Sequence, residues 1–363
     1  MTTPSTPRSF GLGRAGAPLA WAWARMARGR RSGFAGAPWR IRRLARPVVS
    51  VGNIAVGGRA KTPVTAHVAR LLAEAGERVA ILSRGYARAR PEDGVTVVSD
   101  GAGVRAGLAR AGDEPLLLAE SLPGVAVLVC EDRYLAGCLA EARLGCTVHV
   151  LDDGFQHLAL HRDVDLLVAT PDDLQGEPVL PAGRLREPVD AARAASALLV
   201  LDGRAASVAD TAGRLGIGRV FEVVRTLGEP VPIAPRDTGG APRVRPARVL
   251  AVAGLAEPQR FFTDLLVAGW QVIETLPFPD HHAFTRRDAE HVAMRARASG
   301  AELVLTTEKD AVRWRELGVL PVPVAAVPLR VDVQPAHAFR PWLTAAVAGA
   351  AAARVTGRGE IPA

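Results

Sequence analysis

Short, wholly apolar runs alternate along the first half of the chain with stretches whose apolar positions recur at helical spacing. Residues 47–51, 79–82, 125–130, 147–151 and 164–168 read as strands, and 64–75, 114–121 and 135–144 as helices between them. The strands do not alternate between apolar and polar, so both of their faces must be covered, which implies a parallel sheet flanked by helices. Ligands of such a sheet bind at the carboxyl ends of its strands. A second series begins near residue 219, with strands at 220–224, 249–253, 271–275, 303–306 and 322–327 and helices at 258–268 and 286–299. Within it, the Pro- and Gly-rich stretch 228–246 breaks every period and reads as a hinge or exposed loop. The pattern predicts an α/β protein with a larger domain over 1–218 and a second, smaller α/β domain over 219–335. Residues 336–363 add a final helix at about 342–352 and a polar tail.

Length agrees, since 363 residues suit about two domains. A net charge of +8 favours anionic partners: phosphates, nucleic acid or an anionic membrane surface. Aromatic residues at 5%, without basic–aromatic interleaving, offer no stacking platform, which argues against a nucleic-acid partner. Cys130, Cys138 and Cys146 are odd in number and lack a C-x-x-C spacing, as expected of buried thiols in a reducing compartment. The longest apolar runs, 17–24 and 343–353, fall short of the roughly 18 residues that span a bilayer. Residues 18–27 carry Trp21, Trp23 and Met26 ahead of Arg28, Arg30 and Arg31. That composition suits a helix lying in a membrane interface, and equally an amphipathic helix packed on its own domain.

The stretch 51–63, VGNIAVGGRAKTP, joins a strand to a helix through Gly57, Gly58, Arg59 and Ala60, then Lys61, Thr62 and Pro63. Backbone N–H groups of such a turn can converge on phosphate oxygens, the helix N-terminus adds its dipole, Lys61 can reach the β/γ-phosphates and Thr62 can hold Mg²⁺; the other reading is a chance Gly-rich turn before a helix. Both glycines of the strict G-x-x-x-x-G-K-[ST] pattern are replaced, by Ala55 and Ala60. Ala is excluded at position 60 only if the backbone there takes positive φ.

Asp152 and Asp153 end an apolar strand, as carboxylates that hold Mg²⁺ do, or as a solvated Asp-Asp-Gly turn does; Gly154 permits a sharp turn after them. Asp113 opens a helix, either as an N-cap or as a carboxylate placed at a nucleophile. His281 and His282 follow Asp280 in a loop, where a histidine beside a carboxylate acts as a general base or orients one. Arg84, Arg133, Arg184 and Arg186 are basic points in loops that suit an anion.

Taken in order, V-G-N-x-x-x-G-G-x-x-K-T-P, S-R-G-Y, G-D-E-P, D-D-G-F-Q-H, L-P-A-G-R-L-R-E-P, A-G-x-x-x-P-x-R-F-F, F-P-D-H-H-x-F and T-E-K-D-A-V resemble the tetraacyldisaccharide 4'-kinase family over about residues 10–335. The resemblance implies a P-loop NTPase-like parallel sheet with a second α/β domain across a hinge. It implies transfer of the ATP γ-phosphate to the 4'-hydroxyl of an acylated glucosamine disaccharide 1-phosphate, with Mg²⁺, by a peripheral enzyme at the cytoplasmic face of the bacterial inner membrane. Lys61 and Thr62 would bind phosphate and metal, while Asp113 and His281 would form a catalytic dyad drawn from both domains and assembled by hinge closure. Glu114, Asp152, Asp153, Gln156 and Glu187 would surround metal and phosphates, with Arg84, Arg133, His157 and Arg186 on substrate or phosphate. Members of the family commonly carry Gly where this chain has Ala60, so weaker ATP binding or a slightly shifted loop is expected. Phe284 stands where the family often has Tyr. A P-loop GTPase or metallochaperone is the alternative, but it needs an N-K-x-D motif and Cys or His clusters, and Thr307-Glu-Lys-Asp310 resembles the former only superficially.

Overall fold

The computed structural model describes residues 13–86, 88–233 and 248–356. Of the expected hinge, 234–246 lie outside the described residues, as does the tail from 357 onward. The chain runs through α1 (Ala17–Ala35), β1 (Val48–Gly52), α2 (Lys61–Glu74), β2 (Val79–Ser83), β3 (Thr96–Asp100), α3 (Leu108–Ala111), α4 (Asp113–Ser121) and β4 (Ala126–Val129). Next come α5 (Arg133–Leu144), β5 (Val148–Asp152), β6 (Val164–Ala169), α6 (Pro171–Leu174), β7 (Ala197–Leu201), α7 (Ala209–Leu215), β8 (Val220–Leu227) and β9 (Val231–Pro232). The remainder is β10 (Arg248–Ala253), α8 (Pro258–Val267), β11 (Gln271–Pro277), α9 (Arg286–Ser299), β12 (Leu303–Thr307), α10 (Glu308–Arg315), β13 (Val324–Val327), β14 (Leu329–Gln334) and α11 (Ala336–Thr356). Two compact units interleave along the sequence: Met1–Leu82, Arg133–Val224 and Val333–Ala363 form one, Ser83–Asp132 and Arg225–Asp332 the other.

In the first unit six strands take the order β8-β7-β6-β1-β5-β2, and the pairs are parallel. This is the mostly parallel, helix-flanked sheet that the apolar runs predict. All five residues of β1 are buried, because β5 and β6 take its two edges and helices take its faces. Its register sets Val51 level with Asp152 of β5, so the carboxyl ends of the two strands finish together. Gly52 at that end is a steric requirement, since a Cβ there would stand 2.6 Å from both the backbone N and the Cβ of Phe155.

The second unit holds a five-stranded sheet, β11-β10-β12-β13-β9, parallel except for β9, and an antiparallel β3–β4 pair. One face of the larger sheet is packed by Phe284, Val292 and Trp314, the other by Phe261, Phe262, Leu265 and Trp270. Phe284 meets Trp314 with ring centroids 4.7 Å apart, so this aromatic serves the core. Cys130 and Cys146 are buried thiols and Cys138 is half-buried.

The strands and helices expected from sequence occur with shifted ends, but several elements, β3, β7 and β14 among them, were not expected. The run Ala197–Leu201 comes after an Ala-rich stretch and has a turn signal on its C-terminal side alone, Asp202-Gly203, so its N-terminal side does not separate a strand from a buried helix. The last helix starts at Ala336, ahead of the expected 342, and runs through Pro341. Buried Phe339 and Leu343 on either side of that proline hold the helix against its usual breaking effect.

Gly52→Ala forces the Phe155 backbone to move and is expected to destabilise the protein by about 1–3 kcal/mol. Urea unfolding monitored by circular dichroism measures it, and an unchanged midpoint contradicts the packing described at the end of β1.

Candidate active site

Candidate residues gather in two clusters, one within each unit. In the first, the chain leaves β1 and is pinned at once. Arg186 N donates to Ile54 O at 2.6 Å and Val56 N to Arg184 O at 2.8 Å, around an antiparallel bridge between Ala55 and Leu185. Gly57 then takes φ 98°, and Gly58 has open space where a Cβ would stand. Ala60 is left-handed, φ 49° and ψ 29°, at the N-cap of α2. The position that departs from the glycine pattern therefore has the backbone that glycine favours, held by alanine at a cost of about 1–2 kcal/mol. Ala60 has no side chain to cap the helix, so the first N–H groups of α2 remain for an anion. The Arg59 guanidinium is buried on Asp173, with two bonds of 2.7 Å, so Arg59 brings backbone rather than charge to the turn. Lys61 Nζ stands 3.3 Å from Asn53 Oδ1 and 3.6 Å from Asp153 Oδ1, and Thr62 lies beside it in the first turn of α2.

Asp152 is buried and its Oδ1 accepts from Thr65 Oγ1 at 3.0 Å. The sharp turn expected at Gly154 falls on Asp153, whose φ is 50°. Gly154 is needed for space instead, because a Cβ would come within 2.6 Å of Leu151 and 2.7 Å of Ser50 Oγ. Asp153 Oδ2 accepts from the Arg186 guanidinium at 2.9 Å. Burial works to raise the Asp153 pKa, but Lys61 and Arg186 outweigh it and hold the carboxyl below its ordinary range. Asp153 Oδ1 is buried without a hydrogen-bond partner among the described residues, an oxygen of the kind a hard cation takes. Gln156 commits its amide Nε2 to Asn53 O at 2.7 Å, which makes its oxygen the end available to a metal. Asp152, Asp153, Thr62 and Gln156 thus fit Mg²⁺, which favours one or two carboxylates completed by phosphate oxygens. Arg133, nearly buried, faces His157 Nδ1 at 3.2 Å and Asp152 O at 3.5 Å. Glu187 is committed to Arg31 of α1, whose ring-facing guanidinium lies 4.6 Å from the centroid of Phe155.

In the second cluster Asp113 is the first residue of α4; the N-cap is Gly112, with φ 83°. Asp113 is only 1% exposed. Its Oδ2 accepts from His281 Nδ1 at 2.8 Å and from Arg313 at 3.1 Å, and its Oδ1 accepts from Glu114 N at 3.0 Å. The expected pair therefore meets, and both members belong to the second unit. Nδ1 faces a carboxylate that only accepts, so it carries the proton, while Nε2 faces Lys309 Nζ at 3.2 Å and accepts. Lys309 also lies 3.2 Å from Asp280 and 3.4 Å from Glu114. Glu114, grouped by sequence with the metal residues, is thus paired with an ammonium in this unit. Arg313 fixes the histidine loop by donating to His281 O at 2.8 Å, and the Tyr86 ring stands edge-on, 5.5 Å away. Arg84 is exposed. His282 points to Asp288 at 3.1 Å, at the start of α9.

Burial alone would raise the Asp113 pKa, yet the His281 hydrogen bond and the Lys309 and Arg313 charges bring it down to about 2. The hydrogen bond to Asp113 raises that of His281 against burial and Lys309. Lys309 and Arg313 were not singled out from sequence, although their i, i+4 spacing puts them on one face of α10. That helix is seated by Asp310, whose carboxylate accepts from Gly254 N at 2.9 Å and Thr307 Oγ1 at 2.8 Å. Of the four described non-glycine residues with positive φ, three are Ala60, Asp153 and His281, so backbone strain collects at the candidate residues.

The family model described as tetraacyldisaccharide-1-P 4'-kinase matches residues 12–348. A tetraacyldisaccharide 4'-kinase of Pelobacter propionicus is 42% identical over 273 residues, 75% of either chain. That of Anaeromyxobacter dehalogenans strain 2CP-C is 43% identical over 282 residues, 75% of this chain and 73% of its own. A crystal structure of LpxK from Aquifex aeolicus in complex with ATP is similar at a TM-score of 0.72 and 31% identity, over 92% of this chain and 98% of that one.

The ion pair of the second cluster sets a pH window. Its Asp113 part is present above the unfolded carboxyl value near ~4 and is lost as pH falls toward about 2. Its His281 part is complete below the unfolded imidazole value of roughly 6.5 and fades as pH rises through the raised folded value. Asp113→Asn is expected to lower the His281 pKa, read from the ring protons by NMR; an unmoved titration counts against the contact.

Proposed function

The chain belongs to the tetraacyldisaccharide-1-P 4'-kinase family and is an ATP-dependent lipid kinase, and we propose that its two residue clusters divide the transfer of the ATP γ-phosphate to the 4'-hydroxyl of an acylated glucosamine disaccharide 1-phosphate. The observation that carries this reading is the 2.8 Å contact between Asp113 and His281, residues 168 positions apart. Asp113 holds the imidazole by Nδ1 and stabilises its protonated form, so that Nε2 takes the proton of the 4'-hydroxyl. Arg313 keeps the dyad in place from both sides, through Asp113 and the His281 carbonyl. In the first unit, the N–H groups of Gly57–Lys61 and the start of α2 cradle phosphate oxygens, and Lys61 neutralises charge on the transferring group. Thr62, Asp152, Asp153 and Gln156 would hold Mg²⁺, which would supply neutralisation of the negative charge on the transferring phosphate. Arg133 and Arg186 add positive charge for the anionic groups of nucleotide or lipid, and His157, whose Nδ1 accepts from Arg133, orients that guanidinium. Arg84, exposed on its loop, suits the substrate's phosphate.

The place of action is the cytoplasmic face of the inner membrane, and α1 supports it. No helix among the described residues is long and apolar enough to cross a bilayer. One side of α1 is tethered to its own unit: Trp23 donates to Arg186 O at 2.8 Å, Arg28 pairs with Asp190 at 2.7 Å, and Arg31 pairs with Glu187. Only Ala20 of the helix is buried, while Trp21 is 68% exposed, Met26 59% and Trp39, just beyond, 81%. Some side chains of this segment are thus packed on their own unit, while the exposure of Trp21 and Met26 supports the interfacial reading for the others. Exposed Trp and Met among arginines fit an interfacial anchor that meets the acylated substrate at its own depth.

In a labelled-ATP assay with detergent-dispersed tetraacyldisaccharide 1-phosphate, His281→Asn and Asp113→Asn are expected to lower kcat by about 10²–10⁴ while leaving ATP binding in place. Product formed at the parent rate by both variants would remove the dyad from the mechanism. Trp21→Ser with Met26→Ser should weaken binding to anionic phospholipid vesicles by about tenfold or more, measured by sedimentation. Unchanged sedimentation would place the membrane contact elsewhere.

A further inference from the structure

The phosphate loop carries a left-handed alanine without a glycine's freedom, and something must hold it there. The candidate is a clamp that no part of the kinase reading uses. Arg59 immediately precedes Ala60 and is buried, 6% exposed, with its guanidinium bound two-pronged to Asp173 at 2.7 Å and 2.7 Å. Asp173 cannot drift, because it is locked into the first turn of α6. Thr170 N donates to Asp173 Oδ2 at 3.0 Å, and Asp173 N donates to Thr170 Oγ1 at 3.3 Å. Thr170 directly follows β6, which pairs with β1, and the neighbouring Leu174 is sunk in the core. The clamp therefore refers the end of the loop to the same sheet from which its beginning departs. At that beginning, residues 54–56 are tied to 184–186. The two glycines between the ties resist nothing, so Ala60 is the position where strain falls.

We propose that Asp173 is a positioning residue for the phosphate loop: through Arg59 it holds Ala60 in the left-handed conformation that presents the N-terminus of α2 to the nucleotide phosphates. A planar guanidinium bound at both prongs fixes direction as well as distance, which a single ion contact does not. With the clamp gone, Ala60 relaxes toward negative φ, turning the first N–H groups of α2 away from a common point. With glycine at position 60 the left-handed conformation is not penalised, and the clamp becomes largely dispensable. The inference deepens the nucleotide reading of this loop and rests on it.

The test is the affinity of the full-length protein for ATP with Mg²⁺, by calorimetry, together with kcat at saturating ATP. Asp173→Asn is expected to raise the Kd for ATP about tenfold, the scale of the left-handed penalty, with kcat changed far less. In an Ala60→Gly background the same substitution should cost about twofold or less, because that penalty is absent. A generally damaged fold would lower affinity alike in both backgrounds, and an equal loss overturns the proposal, as does no loss in either. Should Asp173→Asn fail to fold by circular dichroism, Arg59→Met with Asp173→Leu removes both charges together, leaves no buried unpaired ion, and is read in the same way. Lys61→Ala separates the two levels. If it binds ATP as tightly as the parent, the nucleotide reading of the loop falls and the clamp with it; if it loses ATP while Asp173→Asn does not, the clamp alone is overturned.

Discussion

Burial of β1 on both edges and both faces is the constraint on which the loop between β1 and α2 depends. A strand paired to β5 and β6 cannot shift its register without moving a whole sheet, so its end is a fixed point. Because Val51 lies level with Asp152, the carboxylates at the end of β5 arrive beside the start of the loop. Phe155 then presses so close to Gly52 that no side chain fits there. That crowding decides the path of the chain beyond β1: it must turn away, and it does so by pairing with 184–186 and anchoring through Arg59.

The second cluster rests on a different principle, the burial of one carboxylate. An ion as enclosed as Asp113 is tolerated only if its charge is answered, and it is answered by His281, Arg313 and, at longer range, Lys309. The same arrangement decides which nitrogen of His281 carries the proton, since carboxylate and ammonium face opposite sides of the ring. Asp153, in contrast, is partly open to solvent and held by Lys61 and Arg186, a looser setting suited to exchanging partners. Left-handed backbone at His281, Asp153 and Ala60 shows that both clusters hold their side chains by bending the chain where side chains oppose it.

Much of this was legible in the residues because its signals are local. Apolar strands, Gly57-Gly58 ahead of Lys61-Thr62, and acidic residues at a strand end are readable within a dozen positions. Lys309 and Arg313 carry no such local signal, because their motif opens a helix in an ordinary way and their partners Glu114 and Asp113 lie far away in sequence. The anchoring of Glu187 by Arg31, and of Arg59 by Asp173, was invisible for the same reason. Interleaving of the two units leaves no mark either, since residues 83–132 continue the same alternation of strand and helix as the segments around them.

The sequence by itself determined the parallel α/β character, through strands too apolar to face water on either side, and it marked position 60 as the residue to watch. Whether an alanine there conflicts with the backbone is a question of φ, and φ at one residue is set by where both ends of the loop are tied. Only the tertiary structure decided that the conformation is left-handed, that Arg59 is bound to Asp173, and that a histidine and a carboxylate 168 positions apart are hydrogen-bonded. Such pairings depend on which strands lie side by side, and strand order is a property of the packed sheet that local spacing does not encode.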